Sequence, residues 1–180
     1  MLYIISSAVN LNNTFLKNFK KNKNVISRPN FFRELSNEKD IIGITGTHGK
    51  TSTTALVSHI FQFNNKNVSF IYGGVSSFGY LGGHCGEDNL PLILETDEAF
   101  NTFKNINIKD LIVTNIDNDH LDFYGSYENL IDAFSYVIKN VKGVKVLNYD
   151  DKNLCLINDK GTISYCLLYT SDAADDVRGV

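Results

Sequence analysis

The chain has 180 residues, a length typical of one domain, and it is 43% hydrophobic and 21% charged, as in a globular protein. The formal net charge of −3 argues against a non-specific nucleic-acid binder, which needs a basic excess. No apolar run reaches the roughly 18 residues of a membrane helix. Three cysteines without metal-ligand spacing favour a reducing compartment, so we expect a cytoplasmic protein without membrane insertion.

The first forty residues contain two predicted elements. Residues 1–7 are apolar and predict a strand, because no positively charged segment precedes them as it would in a secretory signal. Phe31, Phe32 and Leu35 share one face of a short predicted helix.

From residue 41 onward, short apolar runs predict buried strands separated by helices. The strands are predicted at residues 41–44, 68–72, 92–94, 111–113 and 144–147. A helix after residue 51 is predicted from two apolar pairs spaced four apart, Leu56 with Ile60 and Val57 with Phe61. A second helix is predicted over residues 127–141, with Ser126 as its N-cap. This alternation predicts an α/β fold: a mostly parallel sheet, flanked by helices and truncated.

The segment after the strand at 41–44 has the composition of a phosphate-binding loop. Its glycines let backbone N–H groups converge on phosphate oxygens, and the following helix adds positive charge at its N-terminus. Lys50 can reach the β- and γ-phosphates, and the Thr51 hydroxyl can ligate Mg²⁺. The residues predicted to contact the nucleotide are Gly46, Thr47, His48, Gly49, Lys50, Thr51 and Ser52.

This loop departs from the general phosphate-loop pattern at its start. Ile44 stands where the first glycine is expected, and Gly43 lies one position early. A glycine-rich turn with a solvated lysine is the alternative interpretation.

Two further candidates follow neighbouring strands, at the sheet edge where ligands of such folds bind. Glu95 follows the strand at 92–94, and His120 lies beyond the strand at 111–113. Alone, such residues are more often a solvated carboxylate and a capping or core histidine. Mg²⁺ prefers oxygen ligands and substrate phosphates, so physical chemistry favours Glu95 over an imidazole.

Three motifs resemble those of the Mur ligases of cell-wall synthesis. The loop in IIGITGTHGKTSTT is similar to the ATP loop of that family. The histidine before its Gly-Lys pair is similar to the residue at that position in the branch that acts on UDP-N-acetylmuramate itself. Residues 95–98 are similar to the family's Glu-Ala-Asp-Glu segment, and residues 113–122 to its second signature, with Glu95 and His120 25 positions apart. The resemblance implies that Thr51, Glu95 and His120 hold magnesium, and that Lys50 and His120 are catalytic.

The resemblance also implies an activity, with ATP and Mg²⁺ as cofactors. ATP phosphorylates the carboxylate of UDP-N-acetylmuramate, and L-alanine attacks the acyl phosphate to form an amide in peptidoglycan synthesis. The chain departs from the family after Glu98, where Ala99 and Phe100 replace Ser-Asp, so we assign no substrate contact there.

Three regions are expected from this resemblance. Residues 1–40 would be the end of a UDP-binding domain, and residues 41–165 an incomplete ATP-binding domain. Residues 166–180 look like a translated sequencing adapter, and we expect them to be an artefact. Because the family's amino-acid-binding domain is absent, we expect these residues alone to be inactive.

Other functions stay open at this point. A ligase that recycles a whole tripeptide onto UDP-N-acetylmuramate shares the loop, although residues 113–117 and 121–124 favour the alanine-adding branch. Another P-loop hydrolase, acting as a switch or motor, and a non-catalytic module are the remaining candidates. The sequence gives no oligomeric state.

Overall fold

The computed structural model describes residues 2–6, 9, 25–75, 82–119, 121–157 and 160–166. The strands in these ranges are β1 (Tyr3–Ile5), β2 (Val25–Ser27), β3 (Ile41–Thr45), β4 (Ser69–Ile71), β5 (Gly83–His84), β6 (Leu92–Glu95), β7 (Asp110–Val113), β8 (Lys145–Asn148) and β9 (Thr162–Tyr165). The helices are α1 (Arg28–Glu38), α2 (Lys50–Phe63), α3 (Leu121–Tyr124) and α4 (Tyr127–Asn140), with 3₁₀ helices at Ala99–Asn105 and Leu154–Leu156.

The main sheet has the strand order β5-β4-β6-β3-β7-β8-β9, and only the pairing of β5 with β4 is antiparallel within the described ranges. β1 and β2 form a separate parallel pair. The predicted mostly parallel α/β sheet is therefore confirmed. Since β3 lies between β6 and β7, the loop after β3 lies beside the carboxyl ends of both neighbours.

Helix α2 covers one face of the sheet. Val57 and Phe61, one of the two predicted apolar pairs, pack with the core side chains Ile44 and Phe70. The other predicted pair, Leu56 with Ile60, is exposed. The buried stripe is completed by two hydroxyl residues, which are accommodated because each donates to the carbonyl four residues earlier. These are Thr54, at 2.8 Å, and Ser58, at 2.7 Å.

The opposite face is covered by α1, the 3₁₀ helix Ala99–Asn105 and α4. Helix α4 begins where predicted, since Ser126 accepts a hydrogen bond from the Asn129 N–H at 3.2 Å. Its apolar stripe is buried, and Phe134 meets Phe103 edge-on at a ring-centroid distance of 5.2 Å. The predicted helix with Phe32 on its inner face is α1.

Three of the described strands were not predicted from the sequence: β2, β5 and β9. β9 continues the sheet beyond β8, where the predicted sheet stopped. All three are short and at most partly buried, so their side chains give no strong apolar pattern. Within the described ranges, no helix combines the length and the apolar character needed to cross a bilayer.

Candidate nucleotide and metal site

The predicted phosphate loop connects β3 to α2 and requires glycine at two positions. Gly46 has φ of +133°, and a Cβ there would lie 2.1 Å from the Thr114 hydroxyl and 3.0 Å from the backbone of Asn115. Gly49 has φ of +81° and is the N-cap of α2, which no side chain caps. The loop thus turns sharply from the strand and presents the helix N-terminus.

The loop is fastened to the chain that follows β7. The N–H groups of Thr47 and His48 donate to the backbone and side-chain oxygens of Asn115, at 3.0 and 2.8 Å. The Thr114 hydroxyl donates to the His48 carbonyl at 2.6 Å. The Thr47 side chain is also used internally, because its hydroxyl accepts from the Asp117 N–H at 2.9 Å. The N–H and the hydroxyl of Thr47 are therefore both used within the protein, and its predicted contact with the nucleotide stays a prediction.

A second layer holds residues 115–117 in place. One carboxylate oxygen of Asp151 accepts from the Ile116 N–H at 2.8 Å, and the other accepts from the N–H groups of Asn153 and Leu154. The Asn153 amide in turn donates to the Ile116 carbonyl at 3.2 Å. Asp151 was not predicted as part of the site. Its signal in the sequence is only that of an aspartate in a polar turn after a strand.

The structure places the predicted magnesium ligands Thr51 and Glu95 next to each other. The Thr51 hydroxyl lies 3.0 and 3.1 Å from the two carboxylate oxygens of Glu95, and the Gly73 N–H donates to that carboxylate at 2.6 Å. A hydroxyl and a carboxylate in this arrangement are the hard oxygen donors that Mg²⁺ prefers. The described residues contain no group of three or more His, Cys, Asp or Glu suited to a metal. Phosphate oxygens would have to complete the coordination.

The Lys50 side chain bends back over the loop. Its ammonium donates to the carbonyls of Gly46 and Thr47, at 2.6 and 3.1 Å, and lies 3.0 Å from both carboxylate oxygens of Glu98. Glu98 is 1% exposed, and the Tyr124 hydroxyl donates to its carbonyl at 2.5 Å. Burial raises the pKa of Glu98, while the neighbouring Lys50 charge opposes that shift. Glu98 was not predicted as a site residue.

A cleft of about 340 Å³ opens beside Lys50 and Glu95. Its other charged walls are Arg28 and Asp97, with 3.7 Å between the guanidinium and the carboxylate. A larger cleft of about 490 Å³ lies at the opposite end of the sheet and contains none of the predicted site residues. The smaller cleft is the one next to the loop, because Lys50 and Glu95 line it.

The remaining predicted site residues are placed as follows. Ser52 is exposed on the first turn of α2, and the His48 imidazole is exposed, with Nε2 lying 3.6 Å from the Asp117 carboxylate. His120, and residues 167–180 of the predicted artefact, lie outside the described residues. The metal and catalytic roles of His120 therefore stay predictions.

Comparisons with known proteins give the same family. Residues 97–178 match the family model described as Mur ligase middle domain. The UDP-N-acetylmuramate–L-alanine ligase of Hydrogenobaculum sp. (strain Y04AAS1) is 36% identical over 160 residues, 87% of this chain and 35% of that protein. The chain thus spans about a third of this curated relative's length. The family match runs into residues 166–180, whose origin as an adapter artefact stays a prediction.

Two solved structures share the fold. The UDP-N-acetylmuramate–alanine ligase of Thermotoga maritima aligns with a TM-score of 0.77 and 29% identity, over 92% of this chain and 38% of that one. The UDP-N-acetylmuramate:L-alanyl-γ-D-glutamyl-meso-diaminopimelate ligase of Neisseria meningitides aligns with a TM-score of 0.72 and 19% identity, over 92% of this chain and 57% of that one. At that identity, the second likeness concerns the fold alone.

Proposed function

The chain belongs to the Mur ligase family, and we propose that it is the ATP-binding portion of a ligase that joins L-alanine to the carboxylate of UDP-N-acetylmuramate. The observation that carries this proposal is the convergence of the Lys50 ammonium and the Thr51–Glu95 oxygen pair on one phosphate loop. Residues 1–40 are the end of the UDP-binding domain in this proposal, and residues 41–165 belong to the ATP-binding domain.

The choice of L-alanine as the second substrate is supported by the relatives. The Hydrogenobaculum and Thermotoga proteins named as alanine ligases are 36% and 29% identical to this chain, against 19% for the ligase that takes a tripeptide.

All three cysteines lie in the described part of the chain as free thiols, which supports a cytoplasmic enzyme. We propose no nucleic-acid partner.

The phosphate loop would bind ATP through charge and backbone donors. The N-terminus of α2 places its partial positive charge at the loop, where no side chain competes as a cap. The Lys50 ammonium would neutralise the negative charge that spreads over the transferring phosphoryl group. Its attachment to the loop carbonyls of Gly46 and Thr47 keeps it beside the phosphate position.

Thr51 and Glu95 are the described residues that would hold magnesium, with His120 added by the family resemblance. When bound, the ion supplies Lewis-acid stabilisation of phosphate oxygens. The Gly73 N–H donates to the Glu95 carboxylate and helps to orient it toward Thr51.

The cleft beside Lys50 would hold the sugar carboxylate in line with the γ-phosphate. The carboxylate oxygen attacks phosphorus, ADP leaves, and the resulting acyl phosphate is then attacked by the amine of L-alanine. An amide and inorganic phosphate are released, and the amine loses a proton. The chain contributes mainly positioning and charge neutralisation, which is where phosphoryl-transfer catalysis lies.

Trapping of the acyl phosphate tests this proposal. The complete ligase, meaning this segment within a protein of its relatives' length, is incubated with ATP, magnesium, UDP-N-acetylmuramate and hydroxylamine, without L-alanine. We expect a hydroxamate of the sugar carboxylate, detected by mass spectrometry. Lys50→Ala should give none, whereas Lys66→Ala, which changes an exposed lysine, should match the wild type. ATP hydrolysis without hydroxamate would contradict the proposal.

A further inference from the structure

Glu98 is a buried carboxylate that the proposed chemistry does not use. It lies at the end of the segment after β6 and is 1% exposed, yet its charge faces the lysine of the phosphate loop. Burying a carboxylate costs free energy unless the charge is paired. The position of Glu98 next to Lys50 therefore needs a physical explanation.

The ammonium of Lys50 has three N–H donors, and protein groups occupy all of its hydrogen-bonding directions. Two partners are the carbonyls of Gly46 and Thr47, which belong to the loop itself. The third is the Glu98 carboxylate, with both oxygens at 3.0 Å. A phosphate oxygen can therefore reach the ammonium only by replacing one of these partners.

Of these partners, Glu98 is the one that an incoming phosphate would replace. The two carbonyls are neutral and move with the loop, whereas Glu98 carries a full negative charge and lies on another element. An anionic phosphate competes with an anion for the same cation. Both make charge-assisted hydrogen bonds, so the exchange replaces one strong interaction with another.

The backbone on both sides of the Glu98 side chain is fixed by hydrogen bonds. The Tyr124 hydroxyl donates to the Glu98 carbonyl at 2.5 Å, and the Asp97 side chain accepts from the Ala99 N–H at 3.0 Å. These contacts fix the backbone on either side of the Glu98 side chain, which is buried and reaches the Lys50 ammonium with both carboxylate oxygens.

We propose that Glu98 is the positioning residue of Lys50: it acts as an internal counter-ion that keeps the ammonium over the phosphate loop and is exchanged for a phosphate when ATP binds. This inference rests on the proposed ATP site. It assigns to Glu98 a role in the nucleotide-free state, and it predicts that ATP binding must break the Lys50–Glu98 ion pair.

The first test measures the reactivity of Lys50 in the nucleotide-free protein. An amine-acetylating reagent is applied to wild type and to Glu98→Gln, and acetylation is followed by peptide mass spectrometry. Loss of the counter-ion should speed acetylation of Lys50 roughly tenfold, as expected when a charge-assisted hydrogen bond is removed. Glu87→Gln, the same chemical change at an exposed glutamate outside the cleft, should leave that rate unchanged.

The second test measures ATP affinity of the same proteins by calorimetry. Glu98→Gln should bind ATP more tightly than wild type, and more tightly than the control Glu87→Gln, because no ion pair has to be broken. A purely structural role for Glu98 predicts the opposite, a weaker ATP affinity. Unchanged Lys50 acetylation or weaker ATP binding in a folded Glu98→Gln protein overturns the proposal.

A measurement on the wild type alone covers the case in which Glu98→Gln does not fold. Lys50 should be acetylated roughly tenfold more slowly than the exposed Lys66, since its ammonium is held by charge-assisted hydrogen bonds. Equal rates overturn the inference. A wild type that binds no ATP at all would overturn the nucleotide site and this inference together, whereas ATP binding that is insensitive to Glu98→Gln overturns this inference alone.

Discussion

The Thr51 hydroxyl lies 3.0 and 3.1 Å from the two carboxylate oxygens of Glu95, which is 44 positions away in the sequence. This contact joins the first turn of α2 to the end of β6, across adjacent strands of the sheet. Two oxygen donors are thereby brought together next to the lysine of the phosphate loop. The pair is the structural basis for the magnesium site that we propose at this edge of the sheet.

Removal of the predicted metal ligands should raise the magnesium requirement. We expect Glu95→Gln and His120→Ala each to shift magnesium activation of the complete ligase to higher concentration and to slow acyl-phosphate formation, because a ligand of the ion is lost. Glu87→Gln, the same chemical change at an exposed glutamate, is the matched control. Magnesium titrations of both variants that overlay the wild type would show these residues to be structural.

Loss of the loop lysine should strongly reduce ATP turnover. Lys50→Ala is expected to lower turnover in the complete ligase by roughly 10²–10³-fold, because a preorganised charge at the transferring phosphoryl group is removed. Phosphate release is the measurement, with Lys66→Ala as the control at an exposed lysine. Turnover near that of the wild type would mean that the loop is an ordinary turn.

The two loop glycines should differ in their tolerance of a side chain. In Gly46→Ala the new Cβ would meet the Thr114 hydroxyl at 2.1 Å in a strained backbone, whereas in Gly49→Ala it would meet nothing within 4 Å. We expect Gly46→Ala to lose about 3 kcal/mol or more of unfolding free energy, and Gly49→Ala about 1–2 kcal/mol from backbone strain alone. Urea unfolding measures both losses, and equal losses would contradict the described packing of the loop against Asn115.

Glu98 should make stability depend on pH. Burial raises its pKa above 4.5, so the folded protein holds the proton more tightly than the unfolded chain does. The contribution of Glu98 to the unfolding free energy should therefore fall as pH rises from 4.5 through the folded-state pKa. Urea unfolding over a pH series should show the wild type losing stability relative to Glu98→Gln across that window. A relative gain would mean that Lys50 outweighs burial.

The parts of the fold that were predictable from the sequence are those with strong local patterns. The run Ile-Ile-Gly-Ile predicts β3 because a short, continuous apolar run is typical of a strand buried on both faces, and Ser126 marks the start of α4 through its hydrogen bond to Asn129. The loop from Gly46 to Thr51 is recognisable for the same reason. Its glycines and lysine stand between a strand and a helix.

The unpredicted parts depend on contacts between distant segments. Glu98 belongs to a polar run that alone predicts a solvated carboxylate, and its burial follows from the packing of Tyr124 and of the 3₁₀ helix after it. The hydrogen bond from the His48 N–H to Asn115 forms because β7 pairs with β3 and so brings Asn115 next to the loop. β9 was missed because half of its side chains are exposed.

The most direct test of the proposed activity is the substrate dependence of ATP hydrolysis by the complete ligase. Phosphate release is measured with UDP-N-acetylmuramate plus L-alanine, with each substrate alone, and with UDP-N-acetylmuramate plus the tripeptide L-alanyl-γ-D-glutamyl-meso-diaminopimelate. We predict fast release only with UDP-N-acetylmuramate and L-alanine together. Faster release with the tripeptide, or release that is independent of both substrates, would contradict the proposal.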